Sequence, residues 1–424
     1  MARTAAPKES LPGVIVLGID SQIGLSILRD LGRAGVPLFG IGRSTSAVGL
    51  HSRYLSKGYV HQNRDEALVA LLNRIAEEQG ARFVITVSEG DILFLNQQRA
   101  ALSALKLLIP SLENIKTVID KAAVYALAEP LGIAIPRQFA VAADGRMPVT
   151  PAAPDFPVVL KWADPAEVQP ALRAHKLPFK KAEYCHDQAE LEAALTRYRP
   201  IGQYPMVQAY CPGHGLGQMI YLEQGQPLLC FQHQRLHEWP PEGGYSTLCK
   251  SLPPDQHQAL MDKSVQLLRA IGWEGSAMVE YRFDPNTQQA ALMEVNGRFW
   301  GSLPLAYHAE ARFPWLLYQR MGLGQTVAPS ISAYRPGVRC KFLLPDLKRL
   351  LRILFQQGQI QDKTLRFNRV RELFAFIAFF FNPRHRYYVM SLVDPGPWVA
   401  DAGVLIRRGL RISTSKKRKT KKRR

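Results

Sequence analysis

Glu280 and Glu294 each stand in a strongly apolar stretch, Ala277-Met-Val-Glu-Tyr-Arg-Phe-Asp284 and Ala290-Ala-Leu-Met-Glu-Val-Asn-Gly-Arg298. The intervening Asp284-Pro-Asn-Thr has turn chemistry, because Asp bonds its own backbone and Pro presets φ, so the stretches are predicted to pair as an antiparallel hairpin. If that hairpin is symmetric about Thr287, Glu280 lies directly across from Glu294. Alternation of side chains then sends Glu294, Asn296 and Arg298 to one face. Facing carboxylates repel, and like charges opposed across a strand pair are destabilising, so a cation is expected between them. Two acids and an amide oxygen, without Cys or His, suit a hard divalent ion: Mg²⁺ shared with phosphates, or Mn²⁺ in its place. The competing reading is a pair of glutamates on a solvated sheet face, against which stand the apolar neighbours Met278, Val279, Leu292, Met293 and Val295.

Two further groups could meet a substrate. Phe231-Gln-His-Gln-Arg235 reads as a strand in which His233 and Arg235 share a face; they could receive an anion, or line a solvated edge. Ser88-Glu-Gly-Asp91 follows a predicted strand, where open α/β sheets bind ligands. Helix capping by Ser88, with Glu89 and Asp91 in the first turn, is the favoured account of that segment.

The elements that would position these groups change character along the chain. Short apolar runs at 14–18, 36–41 and 83–87 alternate with amphipathic stretches, which implies a doubly wound parallel sheet. Gly18 and Gly24 sit at the first strand-to-helix turn without GxGxxG spacing, so they read as tight-turn geometry rather than a dinucleotide site. A helix is expected over 114–137, a strand over 156–161 after a Pro/Ala-rich connector at 148–154, and further strands at 205–210, 218–222 and 227–233 before a helix over 254–271. This middle portion reads as α+β. Beyond 324 the chain turns helical and basic at 347–355 and almost wholly apolar at 373–381. The latter run reads first as a buried helix, with contact to an anionic membrane as its rival.

Composition sets the frame. The 424 residues require more than one domain. Hydrophobic residues at 47% and charged residues at 21% describe a globular chain. Five cysteines without a CxxC pair suggest neither a zinc site nor a disulfide framework, and a reducing cytoplasm fits. No signal-peptide pattern appears at the N-terminus, and no run reaches membrane-spanning length. Of the net charge of +19, eight charges lie in the nine residues 416–424, leaving +11 elsewhere. That block reads as a disordered solvated tail. It could lend weak attraction to anionic membrane, and with no interleaved aromatics it gives no sign of a specific nucleic-acid partner.

Glu280 followed by Glu294-Val-Asn-Gly-Arg298 resembles the E-x-N-x-R metal signature of the ATP-grasp superfamily, of the biotin-carboxylase and carbamoyl-phosphate-synthase type. Other pieces resemble that family in order. Lys121 after Asp120 and Lys161 at the end of Val158-Val-Leu-Lys look like its two nucleotide lysines; Met206-Val-Gln-Ala-Tyr-Cys-Pro-Gly213 resembles the hinge strand; Gly243-Gly244 resembles the loop after the central strands. The resemblance implies a pre-ATP-grasp Rossmann-like domain at 1–110, a small ATP-grasp lobe at 111–205 and a large lobe with the metal site at 206–325. An extension at 326–412 and the tail at 413–424 would follow. It further implies a cytoplasmic ligase in which ATP converts a carboxylate to an acyl-phosphate that an amine, or a thiol, then attacks. Lys121 and Lys161 would hold phosphates, the main chain of Gln208, Ala209 and Tyr210 adenine, and Glu280, Glu294 and Asn296 the Mg²⁺. Arg298 would steady the carboxylate or the phosphoryl group. The sequence departs from the family in one place: the interval 162–181 lacks the phosphate-covering glycines, so that Lys180 and Lys181 would serve a longer lid, or the protein is an ATP-binding regulator or scaffold with weak turnover. Neither the carboxylate and amine substrates nor an oligomeric state is encoded legibly.

Overall fold

The structure, a computed structural model, describes residues 11–147 and 154–403. The basic tail at 413–424 and nearly all of the connector at 148–154 lie outside them. The described residues fall into two compact units, one comprising 11–112, 298–329 and 387–403, the other 113–147, 154–297 and 330–386. The described part of the segment 326–412 is thus divided between the two.

In the first unit, β1 (Gly13–Leu17), β2 (Leu38–Gly42), β3 (Lys57–Val60), β4 (Ala81–Thr86) and β5 (Lys106–Leu107) form a parallel sheet of order β3-β2-β1-β4-β5. β1 and β2 are buried throughout, which is why they read as uninterrupted apolar runs rather than alternating ones. Helices Gln22–Arg33, Glu66–Gln79 and Glu89–Gln97 supply the windings. Gly18 follows β1 with φ +96°, and a Cβ there would stand 2.6 Å from Val87 Cγ2, so the turn itself requires glycine. Ser88 caps the Glu89–Gln97 helix, accepting from the Asp91 N–H at 3.1 Å. Two later segments are fixed to the Gln22–Arg33 helix by ion pairs with buried acids: Arg29 with Asp394 at 2.9 Å and Arg312 with Asp30 at 2.7 Å.

The second unit holds two sheets. The smaller is antiparallel, with β6 (Gln138–Phe139), β7 (Val158–Lys161), β8 (Glu183–Cys185) and β9 (Met206–Ala209) in the order β6-β9-β7-β8. The larger contains β10 (His214–Glu223), β11 (Gln226–Trp239), β12 (Tyr245–Ser251), β13 (Gly275–Asp284), β14 (Gln289–Asn296), β15 (Arg339–Lys341) and β16 (Arg386–Tyr387), ordered β14-β13-β10-β11-β12-β15-β16.

Two expectations are corrected. The helix foreseen over 114–137 is two helices, Leu112–Ile119 and Lys121–Ala128. Asp120 separates them: its backbone is extended and its carboxylate accepts from the Ala122 and Ala123 N–H groups at 2.9 and 3.3 Å, restarting the helix as an N-cap. The apolar run at 373–381 is largely exposed, with only Phe379 of its side chains buried. Helix Arg369–Ala378 has no fully buried side chain, and Phe374 and Phe381 are 66% and 81% exposed. Among the described residues no helix is long and apolar enough to cross a membrane.

Candidate metal and nucleotide site

The β13–β14 ladder pairs Glu280 with Glu294 and Met278 with Asn296. The route to that register is not the simple symmetry that the sequence suggests. Nearest the turn the pairs are Asp284–Gln289, Phe283–Ala290, Arg282–Ala291 and Tyr281–Leu292, a register that carried onward would set Glu280 against Met293. A bulge between Glu280 and Tyr281 lets Met293 go unpaired and moves Glu294 opposite Glu280. Without it, the one-residue slip would turn Glu294 and Asn296 to the other face. β14 ends at Asn296, so the alternation that was to carry Arg298 stops two residues short of it. Gly297 follows, where a Cβ would approach side-chain atoms of Trp273, Val118 and Ile115 within 2.6–2.9 Å.

Positive groups gather on this acidic pair. Arg235 of β11 bonds Glu280 through Nη2 and donates to the Gly244 carbonyl at 3.2 Å. Lys121 Nζ lies 4.0 Å from Glu294, and Lys161 Nζ donates to Met293 Sδ at 3.9 Å. Burial would raise the Glu294 pKa, but the Lys181 and Lys121 charges and the Asn296 amide, which donates to Glu294 at 3.2 Å, hold it well below the usual carboxylate range. Burial raises Glu280, the Glu294 charge adds to this, and Arg235 opposes it. Burial likewise lowers Lys161 against the pull of both glutamates. With Nδ2 turned to Glu294, Asn296 leaves Oδ1 as a ligand. Among the described residues no group of three or more His, Cys, Asp or Glu could hold a metal. An ion here would rest on two carboxylates and an amide, completed by oxygens from outside the chain, and that all-oxygen set fits Mg²⁺.

Residues 247–319 match the family model for the carbamoyl-phosphate synthase L chain ATP-binding domain. Solved structures match over far more of the chain. Biotin carboxylase from Campylobacter jejuni, solved as a β-γ-ATP complex, is 14% identical over 77% of this chain and 74% of its own, with a TM-score of 0.58. L-amino acid ligase from Bacillus licheniformis is 15% identical over 78% and 79%, TM-score 0.56. N5-carboxyaminoimidazole synthetase from Staphylococcus aureus, complexed with ADP, is 11% identical over 76% and 81%, TM-score 0.54. The chain has the ATP-grasp fold. It spans only 29% of the length of Rhizobium etli pyruvate carboxylase, which it also matches, and no curated protein matches it by sequence.

Within this ATP-grasp fold several predicted residues take other places. Ala209 donates its N–H to the Arg137 carbonyl at 2.8 Å, which commits that amide. Gln208 is buried in the ladder between β6 and β7. The Tyr210 hydroxyl donates to Asp362 at 3.0 Å and bonds Thr364 at 3.0 Å, so only its main chain is left for a ligand. The glycine-free interval forms a helix, Pro165–Ala174, whose Val168 and Leu172 pack with Trp162 and Tyr198. Lys180 is bound to Glu183 at 2.5 Å, whereas Lys181 acts on the glutamate pair. His233 is fully buried, so neither the anion-receiving nor the solvated-edge reading holds for it; burial and the Arg235 charge push its pKa down to about 3 and keep it neutral. Arg235 faces Glu280 rather than solvent. Arg298 lies in the first unit, where it pairs with Glu89 at 3.2 Å.

One member of the charge network was missed. Glu238 lies 3.5 Å from Arg235 and 3.6 Å from Arg282. Alternation along β11 pairs Arg235 with His237 in orientation, but the ladder is irregular on both sides of His237 and brings Glu238 round instead. No sequence signal marks such a bulge.

Proposed function

We propose that the protein is a cytoplasmic, ATP- and Mg²⁺-dependent ligase that activates a carboxylate as an acyl-phosphate and couples it to an amine or thiol. The observation that carries this reading is the cross-strand Glu280–Glu294 pair with Asn296 beside it and Lys121, Lys161 and Lys181 around it. Phosphoryl transfer depends on positioning and charge neutralisation more than on covalent help from the protein. Lys121 and Lys161 would hold phosphate oxygens, and Lys181 would cover them from the strand side of the glycine-free interval. Mg²⁺, when bound by Glu280, Glu294 and Asn296, would neutralise the polyphosphate and fix its register. Arg235 opposes the rise in the Glu280 pKa and holds the side chain in place. Arg298 offers a planar fork suited to a carboxylate or a phosphoryl group, and its exposed pairing with Glu89 is of the weak kind.

A second reading, an ATP-binding regulator or scaffold with weak turnover, is favoured by the packed Pro165–Ala174 helix where glycine amides would cover phosphate. The two are separated by incubating the protein with MgATP and pooled carboxylates and amines and following ADP. Sustained release that depends on one acid is expected from the ligase; ATP binding with no acid-dependent release would leave the regulator.

A further inference from the structure

Two helices of the second unit turn an apolar face outward. A surface helix ordinarily keeps its apolar stripe toward the core. On Leu343–Phe355, however, Leu347, Leu351 and Phe355 recur every four residues and are exposed, Phe355 by 76%, while Asp346, Arg349, Leu350 and Ile353 face inward. On Arg369–Ala378 the exposed large hydrophobic residues are Val370, Leu373, Phe374 and Ile377, the i, i+3, i+4, i+7 spacing of one stripe, which Phe380 and Phe381 continue. The inward side is fixed. Arg349 pairs with Glu372 at 2.8 Å, and the buried Lys341 ammonium lies over the rings of Phe376 and Phe379 at 4.4 and 4.1 Å. The helix cannot roll to hide its stripe without breaking these contacts.

The charge around the stripe has one sign. Within 343–386 the acids are Asp346 and Asp362, both buried, and Glu372, taken by Arg349. The exposed charges there are basic, among them Lys348, Arg366, Arg369, Arg371, Arg384 and Arg386. At 3.6 residues per turn, Arg369 and Arg371 stand about 100° to either side of Val370, flanking the apolar band.

We propose that this face docks the protein on an anionic lipid bilayer. Aromatic and leucine side chains would enter the headgroup boundary, and flanking arginines would extend to lipid phosphates while their stems lie along the apolar surface. A second copy would bring one positive rim against another, so self-association is disfavoured by the charge pattern. The helices lie along the surface and do not span it. This inference is independent of the ligase reading, because it uses neither the glutamate pair nor nucleotide.

The test is co-sedimentation of the full chain with phosphatidylcholine vesicles containing phosphatidylglycerol and with phosphatidylcholine vesicles alone. A combined Phe355→Ser, Phe374→Ser, Phe381→Ser variant leaves every basic residue, the C-terminal block included, in place; an unchanged melting temperature shows that it folds. Native protein is expected on the anionic vesicles, with binding weakened by salt, and the variant is expected to lose about tenfold or more in affinity. Equal binding by the variant would assign the attraction to the basic tail alone and overturn the proposal. So would failure of native protein to bind anionic vesicles, including the case where it sediments as a dimer that the variant dissociates.

Discussion

Glu280 and Arg235 form the contact that steadies the carboxylate pair. Both side chains are nearly buried, and Glu294 adds a second negative charge across the ladder. Arg235 therefore supplies positive charge to the pair, of the kind that a bound divalent ion would also supply. Removing it leaves two like charges with the lysines at a greater distance, and breaking one side of a buried pair costs about 3–5 kcal/mol. Arg235→Ala is expected to melt well below the native protein, and added Mg²⁺ is expected to restore more stability to the variant than to the native chain. Thermal melts with and without Mg²⁺ check this; equal Mg²⁺ shifts would mean that the ion and the guanidinium do not act on the same charge. His233, two residues away, carries a pH signature. Its folded-state pKa is about 3 against an ordinary 6.5, so the unfolded chain takes a proton in that window and the fold does not. Its contribution is complete above 6.5 and is lost as pH falls toward 3. Between about pH 7.5 and about pH 5 this amounts to about 2 kcal/mol. The native protein is expected to lose that much more stability than His233→Asn over the same interval, measured by denaturant unfolding at the two pH values.

At the scale of elements, the β13–β14 hairpin shows what alternation can and cannot tell. Its turn, its apolar faces and the opposition of Glu280 to Glu294 were legible, because turn chemistry and period-two patterning are local. The bulge at Met293 was not, because an unpaired residue has no composition of its own. The same holds for Glu238, brought round by irregular pairing in β11, and for Arg298, which lies past the end of β14. The break at Asp120 was not legible either, because the periodicity on both sides of it reads as one helix and the cap shows only in the structure. Gly297 marks the end of the hairpin by close approach: a methyl group there meets Trp273, Val118 and Ile115. Gly297→Ala is expected to cost about 1–3 kcal/mol through overpacking. Because Asn296 adjoins it, MgATP affinity is expected to fall as well. Melting curves and nucleotide titration of the one variant measure both effects, and a variant as stable as the native protein would contradict the packing account.

At the scale of the whole molecule, sequence patterning was sufficient for fold class. Strand–helix alternation in the first unit and antiparallel pairing in the second follow from hydrophobic periodicity, and the ordered motifs pointed to the fold that solved structures share. The fate of 326–412 was not legible, because whether a strand such as β15 joins an existing sheet depends on an edge formed more than eighty residues earlier in the chain by β12. For the run at 373–381, hydrophobicity alone could not say which side would meet the protein; Lys341 and Arg349 decide it. In the proposed function, the two facing carboxylates would hold a metal-bound triphosphate. Calorimetric titration of MgATP into the native protein and into Glu294→Gln, which keeps the shape and removes the charge, tests this most directly. The native protein is expected to bind MgATP and the variant to bind it at least about tenfold more weakly, whereas equal affinity would contradict the assignment of the site.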